Sequence, residues 1–270
     1  MRELLFVKLG GSVITDKARP GTARPEVIAR LAKETSSALT ARTELRLLLG
    51  HGSGSFGHVA AHRYGTRRGV HTPAQWRGFV RVAAAAARLN RLVTETFLAA
   101  GVPVWSLQPS ASALCREGNL LTLEIAPIAT ALARGVIPLL YGDVALDETR
   151  GGTIISTEQI FVFLARRLHP TRLILVGAVD GVFESDPMRN PSARPVPRIS
   201  QANWEAVHRS LSGSYATDVT GGMLSKVEAM VALAREMPNL TIHLISGRRE
   251  GALETALLTP ESAGGTEIRW

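Results

Sequence analysis

Short apolar runs alternate along the chain with longer stretches whose apolar positions recur every three to four residues. Leu4 to Leu9, Leu45 to Leu49, Val102 to Leu107, Val136 to Tyr141, Arg172 to Val176 and Leu240 to Ile245 read as buried strands. The helical period predicts helices over Pro25 to Ala41, from Thr72-Pro73 to a stop at Gly101, and over Ile125 to Arg134, Thr157 to Leu168 and Met223 to Glu236. Pro25 suits a first helical turn, Thr72 reads as an N-cap, and Ser200 reads as the cap of a further helix to about Ser210. Val144 to Ser156 has a hairpin pattern that turns at Glu148 to Gly152. Pro187 to Pro197 predicts loop or edge structure, and Ser212 to Gly222 predicts a polar, glycine-bearing loop. Strand alternating with helix predicts an α/β fold: a mainly parallel open sheet covered on both faces. A boundary near residues 170–190 would divide an N-terminal lobe, about 1–170, from a smaller C-terminal lobe, about 171–270, the two sharing one sheet. Ligands of such sheets bind beyond the carboxyl ends of the strands.

Composition narrows the function classes. At 270 residues, 45% hydrophobic and 20% charged, the chain is globular rather than disordered. The single cysteine, Cys115, excludes a disulfide framework and any multi-cysteine metal site. No apolar run nears the ~20 residues of a membrane span. Met1-Arg2-Glu3 passes directly into a strand-like run without a signal-peptide pattern, so a cytoplasmic protein is expected. The net charge is +8, and between His58 and Thr94 there is no Asp or Glu but seven arginines: Arg63, Arg67, Arg68, Arg77, Arg81, Arg88 and Arg91. This stretch follows a glycine-rich loop and would raise the positive potential near a phosphate site. A solvated helix face is the alternative reading.

The candidate chemistry lies at strand ends. No Gly-Lys dipeptide exists, so there is no Walker A loop, and His-Glu-x-x-His is absent. His58 and His62 stand at i, i+4 with no third ligand indicated, which leaves no metal site. Gly52-Ser-Gly54-Ser-Phe-Gly57 matches Gly-x-Gly-x-x-Gly. A dinucleotide site also needs an acid about 20 residues on, and the first acid after Gly57 is Glu95. What survives is a loop whose small residues let backbone N–H groups reach an anion, with His58 able to donate to a phosphate oxygen. Lys8-Leu-Gly10-Gly11-Ser12 followed by Asp16-Lys17 places two lysines around a diglycine, as a phosphoryl clamp would. Asp218-Val-Thr-Gly-Gly222-Met223 opens a helix that carries Lys226 one turn in. Asp143, after Gly142 at a strand end, can hold lysines in position.

These motifs, with Val179-Asp180-Gly181, occur in the order of the amino acid kinase superfamily. Within it, the closing Gly57-His58 and the Asp16-Lys17 pair make the chain resemble the isopentenyl phosphate kinases, from residue 4 to about 269. The resemblance implies a three-layer αβα sandwich, usually dimeric, that uses ATP with Mg²⁺ carried on the nucleotide. The product would be isopentenyl diphosphate, made for isoprenoid biosynthesis. Lys8 would contact the transferred phosphoryl and Lys17 would stabilise charge in the transition state. Gly10, Gly11 and Ser12 would cradle the β- and γ-phosphates. His58 would bind the acceptor phosphate, and Ser53 and Gly54 would offer N–H groups to acceptor and ATP. Asp143 would orient the lysines. Gly222 and Lys226 would hold the nucleotide, with Asp180 bordering the adenosine. The partners implied are a prenyl monophosphate and a second copy of the chain, with neither nucleic acid nor membrane.

The chain also departs from that pattern. Ser53 stands where a third glycine is common, Ser156-Thr-Glu-Gln159 where Ser-Gly-Asp-Asp is frequent, and Ala178 where an acid often precedes Val-Asp-Gly. The Thr157 N–H is still expected at the acceptor phosphate. Phe79, Ala83, Ala86 and Asn90 share one face of the long helix, either as a surface for a prenyl tail or as core packing. A fosfomycin kinase on the same fold, and a non-catalytic ligand-sensing module, are the competing readings. Retention of Lys8, Lys17, His58 and Lys226 argues against the sensor.

Overall fold

The structure, a computed structural model, describes residues 3–185, 187, 190, 192–214 and 223–270, with the backbone alone at 58–60, 63, 213 and 214. The chain begins β1 (Leu4–Leu9), α1 (Gly11–Ile14), α2 (Pro25–Ala41), β2 (Arg46–His51), α3 (Gly54–Tyr64), α4 (Pro73–Ala99) and β3 (Val104–Ser106). It continues with β4 (Leu114–Arg116), β5 (Asn119–Thr122), α5 (Ala126–Ala133), β6 (Ile137–Tyr141), β7 (Asp143–Asp147), β8 (Gly151–Ile155) and α6 (Thr157–Leu168). The rest is β9 (Arg172–Gly177), β10 (Val182–Phe183), β11 (Pro195–Val196), β12 (Arg198–Ile199), α7 (Trp204–Ser214), α8 (Met223–Glu236), β13 (Thr241–Ser246), α9 (Ala252–Leu258) and β14 (Thr266–Ile268).

Eight strands form one sheet in the order β12-β14-β13-β9-β1-β2-β6-β3, every neighbouring pair parallel except β13 with β14. A smaller sheet runs β5-β4-β7-β8. Alternation along the strands sorts the core into two layers. Leu5, Val7 and Leu9 of β1, with Leu47 and Leu49 of β2, pack on α2, α4 and α9. Leu4 and Phe6, with Leu48, pack on α6, α7 and α8. The result is a helix–sheet–helix sandwich. Parity also assigns the polar residues at the strand ends. Lys8 falls on the α6 face with Phe6, whose ring meets that of Phe161 edge-on at 5.2 Å. His51 falls on the α4 face with Leu49.

The helix starts follow the sequence signals. Thr72 accepts from the N–H of Gln75 while Gln75 accepts from that of Thr72, a capping box at the head of α4. Ser156 and Gln159 do the same for α6. The structure corrects the expectations for the second glycine loop, Ser200 and Ser212, and adds one hairpin. The segment expected to stay a loop to His58 turns helical at Gly54, because the Ser53 carbonyl accepts from the N–H groups of Phe56 and Gly57 and closes a first turn. The short β4–β5 hairpin has no strand-like apolar pattern, since most of β5 is exposed. Ser200 does not cap a helix: α7 begins at Trp204, and residues 200–203 form a turn in which the Ser200 carbonyl accepts from Asn203 and Trp204. Of the loop expected over Ser212 to Gly222, residues 215–222 lie outside the described residues, and Ser212 belongs to α7. Among the described residues no helix is long and apolar enough to cross a membrane.

Candidate active site

Two glycine loops leave the adjacent strands β1 and β2 and touch backbone to backbone. The Gly10 N–H donates to the Val176 carbonyl at 2.8 Å, and the Gly52 N–H donates to the Leu9 carbonyl at 3.0 Å. A Cβ on Gly11 would stand 2.5 Å from the Gly54 nitrogen, so no larger residue fits there. Gly54 is left-handed, with φ +49°, and a Cβ on it would run into Gly11 and Thr15. Thr15 fastens the two loops: its hydroxyl donates to the Gly11 carbonyl at 2.7 Å and accepts from the Ser55 N–H at 3.0 Å. The N–H groups of Gly11, Ser12, Ser53 and Gly54 donate to no protein acceptor among the described residues. Four orphan donors gathered where two loops meet, at the carboxyl ends of parallel strands, form a cradle for an anion.

An ion pair between a buried lysine and a half-buried glutamate stands beside the cradle. Lys8, 6% exposed, donates to the Glu158 carboxylate in the first turn of α6. Burial alone would raise the Glu158 pKa, but the ammonium groups of Lys8 and Lys226 outweigh it and hold it down at about 2. Glu158 is therefore an anion at any ordinary pH and keeps the Lys8 ammonium at the strand end. The role expected of Asp143 falls to Glu158. Among the described residues Asp143 makes no pair with Lys8; it accepts instead from the N–H groups of Ser110 at 3.2 Å and Val144 at 2.8 Å. Burial pushes its pKa up, with those hydrogen bonds opposing. Asp143 fixes a loop.

Around this centre the other expected residues fall as follows. Lys17 is exposed on a turn that is tied to the second loop through Gly21 N–H to the Ser55 carbonyl and Ser55 hydroxyl to the Thr22 carbonyl. Thr157 opens α6 and donates its hydroxyl to the His51 carbonyl at 2.7 Å, while its N–H has no acceptor among the described residues. A Cβ on Gly50 would stand 2.7 Å from Thr157 and from the Phe161 ring, so glycine there admits the head of α6. Lys226 lies in the first turn of α8, near enough to act on Glu158. Asp180 follows β9, accepts from the Ser246 N–H at 3.2 Å and lies 3.7 Å from Arg249. His58 lies on α3, its side chain outside the described atoms, and Gly222 lies outside the described residues. On α4, Phe79 and Ala83 are half-buried while Ala86 and Asn90 are buried, and Phe79 packs on Gly152 of β8 and edge-on to Trp76. Arg67, Arg68, Arg77, Arg81, Arg88 and Arg91 are all exposed.

Sequence reasoning passed over Glu158, Thr15 and the partners of His51. A signal for Glu158 was available: strand parity puts Lys8 on the α6 face, and Glu158 is the acid in the first turn of that helix. Thr15 offers none, since its two bonds exist only once the loops meet.

Residues 3–246 match the amino acid kinase family. The curated isopentenyl phosphate kinase of Methanothermobacter thermautotrophicus is 34% identical over 97% of this chain and 97% of its own. That of Thermoplasma acidophilum is 30% identical over 98% and 100%. A solved structure described as an isopentenyl phosphate kinase superposes with a TM-score of 0.83 at 31% identity, covering 98% of this chain and all of that one.

Proposed function

This chain belongs to the amino acid kinase family, and on that premise we propose that it transfers the γ-phosphoryl group of ATP to isopentenyl phosphate, giving isopentenyl diphosphate and ADP. The observation that carries the reading is the cradle of four free N–H groups beside the Lys8–Glu158 pair, built for adjacent phosphates at one place. The N–H groups of Gly11, Ser12 and Gly54 take the β- and γ-phosphates; Gly10, expected to share in this, spends its N–H on the Val176 carbonyl and serves only to let the chain pass close to it. Ser53 N–H, Thr157 N–H and His58 take the acceptor phosphate. Lys226, Gly222 and Asp180 serve the nucleotide side.

The acceptor is a phosphate monoester, whose second pKa is ~6, so its oxygen arrives deprotonated at pH 7 and no general base is needed. That oxygen forms the new bond to the γ-phosphorus as the bond to the β-phosphate oxygen breaks, and ADP leaves with the electron pair. Lys8, held by Glu158, follows the transferred group, and Lys17 meets the developing charge from the exposed turn. Mg²⁺ suits the nucleotide's own oxygens better than protein ligands: Glu158 is engaged by Lys8, and Asp143 by two N–H groups. When bound there it neutralises phosphate charge. The enzyme acts in the cytoplasm as a homodimer; β3 ends the sheet with an open edge that carries Trp105, 47% exposed.

The test is ATP consumption with isopentenyl phosphate, dimethylallyl phosphate, fosfomycin, carbamate and UMP in parallel. Turnover of the two prenyl phosphates above the others is expected. Turnover of fosfomycin without isopentenyl phosphate would overturn the assignment.

A further inference from the structure

His51 is fully buried at the end of β2, on the face turned to α4, and every polar atom of its ring has a partner. Nδ1 lies 3.1 Å from the carbonyl oxygen of Gly52. A carbonyl can only accept, so Nδ1 carries the proton. Nε2 lies 3.2 Å from the Asn90 side-chain nitrogen and accepts from it. The Asn90 oxygen in turn accepts from the Ser106 hydroxyl on β3. The directions agree from end to end: Ser106 donates to Asn90, Asn90 to His51, and His51 to Gly52. Burial drives the ring pKa down to about 4, so the ring is neutral where the enzyme works, as this relay requires. The Tyr141 ring stacks on the imidazole at 5.6 Å and 9°.

The relay ends on a peptide that matters. In a trans peptide the carbonyl and the next N–H point in opposite directions. Fixing the Gly52 carbonyl toward His51 therefore aims the Ser53 N–H the other way, into the cradle. The preceding peptide is fixed as well, since the His51 carbonyl accepts from the Gly142 N–H at 3.1 Å and the Thr157 hydroxyl, while the Gly52 N–H is tied to Leu9. The Gly52–Ser53 peptide would otherwise be the loose one. It follows the freely rotating Gly52, and its N–H has no protein partner among the described residues.

We propose that His51, clamped by Asn90 and Ser106, is a positioning residue that sets the Gly52–Ser53 peptide so that the Ser53 N–H grips the acceptor's phosphate, and that this ties the phosphate grip to the long helix α4. The proposal rests on the acceptor role given to Ser53 above.

The variants His51→Asn, His51→Gln and His51→Leu separate this role from bulk packing. Asparagine can place an N–H near the position of Nδ1 and keep the bond to Gly52. Glutamine reaches toward Asn90 but not back to Gly52. Steady-state kinetics with isopentenyl phosphate and ATP varied in turn should give His51→Leu and His51→Gln an acceptor KM about tenfold higher, the size of one hydrogen bond. The KM for ATP should stay within about twofold, and His51→Asn should recover most of the loss. Ser106→Ala touches only the far end of the relay, keeps the core intact if a histidine variant misfolds, and should raise the acceptor KM two- to threefold. Titration with inorganic phosphate runs in parallel, because it reads the anion grip whatever the acceptor's tail. If phosphate affinity falls in His51→Leu and returns in His51→Asn while the wild type ignores isopentenyl phosphate, the positioning role stands and the assigned acceptor fails. Equal rises in both KM values, or asparagine no better than glutamine, overturn the positioning role.

Discussion

Replacing Glu158 by glutamine removes a charge and almost no volume. Lys8 stays buried and loses its counter-charge. Removing one partner of a buried ion pair costs about 3–5 kcal/mol. The carboxyl group gives a second measure. Burial works to raise its pKa, yet Lys8 and Lys226 bring it from 4.5 down to about 2, a displacement on the order of 3 kcal/mol in favour of the folded state. Such a carboxyl binds its proton more weakly in the folded chain than in the unfolded one. Its contribution is therefore complete above the unfolded pKa near 4.5 and disappears as pH falls through about 2. For a chain of this size a kilocalorie moves Tm by ~2–4 °C. Glu158→Gln should thus melt roughly 6–12 °C below the wild type at pH 7, and the two melting curves should converge as pH falls from about 4.5 toward 2. With Lys8 no longer held at the strand end, kcat/KM should drop about 10²-fold. Calorimetry across that pH range, with a kinetic run at pH 7, checks both parts. Equal Tm values at pH 7, or a gap that stays constant down to pH 2, would refute the assignment of Glu158 as the partner that holds Lys8.

Four shorter predictions concern the reaction. Lys17→Ala should lower kcat about 10²-fold with little change in either KM, because an exposed lysine tied to the loop turn acts on developing charge rather than on binding; steady-state kinetics reads the split, and a pure KM effect counts against it. His58→Ala should weaken acceptor use far more than ATP binding, as a calorimetric titration with each ligand would show; equal losses contradict the acceptor role. Ala83→Phe should reduce kcat/KM for geranyl phosphate more than for isopentenyl phosphate if a tail lies on this face, since a buried methylene is worth about 0.8 kcal/mol and the position is only half-buried; Ala86 is 1% exposed, so Ala86→Phe should lower Tm and harm both acceptors alike. An unphosphorylated prenyl alcohol should not be turned over, and a coupled ADP assay gives that answer directly.

The architecture was readable because strands and helices here obey simple periods. The bounds of α2 and α6 fall where the helical period puts them, with Pro25 in the first turn of α2. The glycine loops were readable for the same local reason: runs of small residues after buried strands have few other uses. What the sequence hid is what depends on two segments meeting. Asp143 looked like the lysine holder because it sits at a strand end, but the Ser110 and Val144 N–H groups occupy its carboxylate, and Ser110 comes from a stretch with no regular pattern. Glu158 looked like a departure from a motif rather than a functional group. Only the face that Lys8 occupies in β1 reveals that an acid at the head of α6 lies within reach. The clamp on His51 needs two strands and a helix whose residues stand 39 and 16 positions apart along the chain.

The engaged carboxylates also bear on which acceptors the site admits. Glu158 is taken by Lys8, Asp143 by two N–H groups, and Asp16 by the N–H of Ala18 together with Arg24 at 3.9 Å. The buried imidazole of His51 donates through Nδ1 and accepts through Nε2, so neither nitrogen is open to a substrate proton. These carboxylates and this ring are already engaged within the protein. The proposed acceptor asks for no base, because the oxygen of a phosphate monoester arrives ionised at pH 7. The site's donors, in contrast, are plentiful: four N–H groups in the cradle and a fifth at Thr157 have no acceptor among the described residues. On the proposed reading, a site rich in donors selects the head of its substrate by charge. The choice among tails would then fall to α4, whose one face carries Phe79 and Ala83 and, two turns on, the Asn90 bonded to His51.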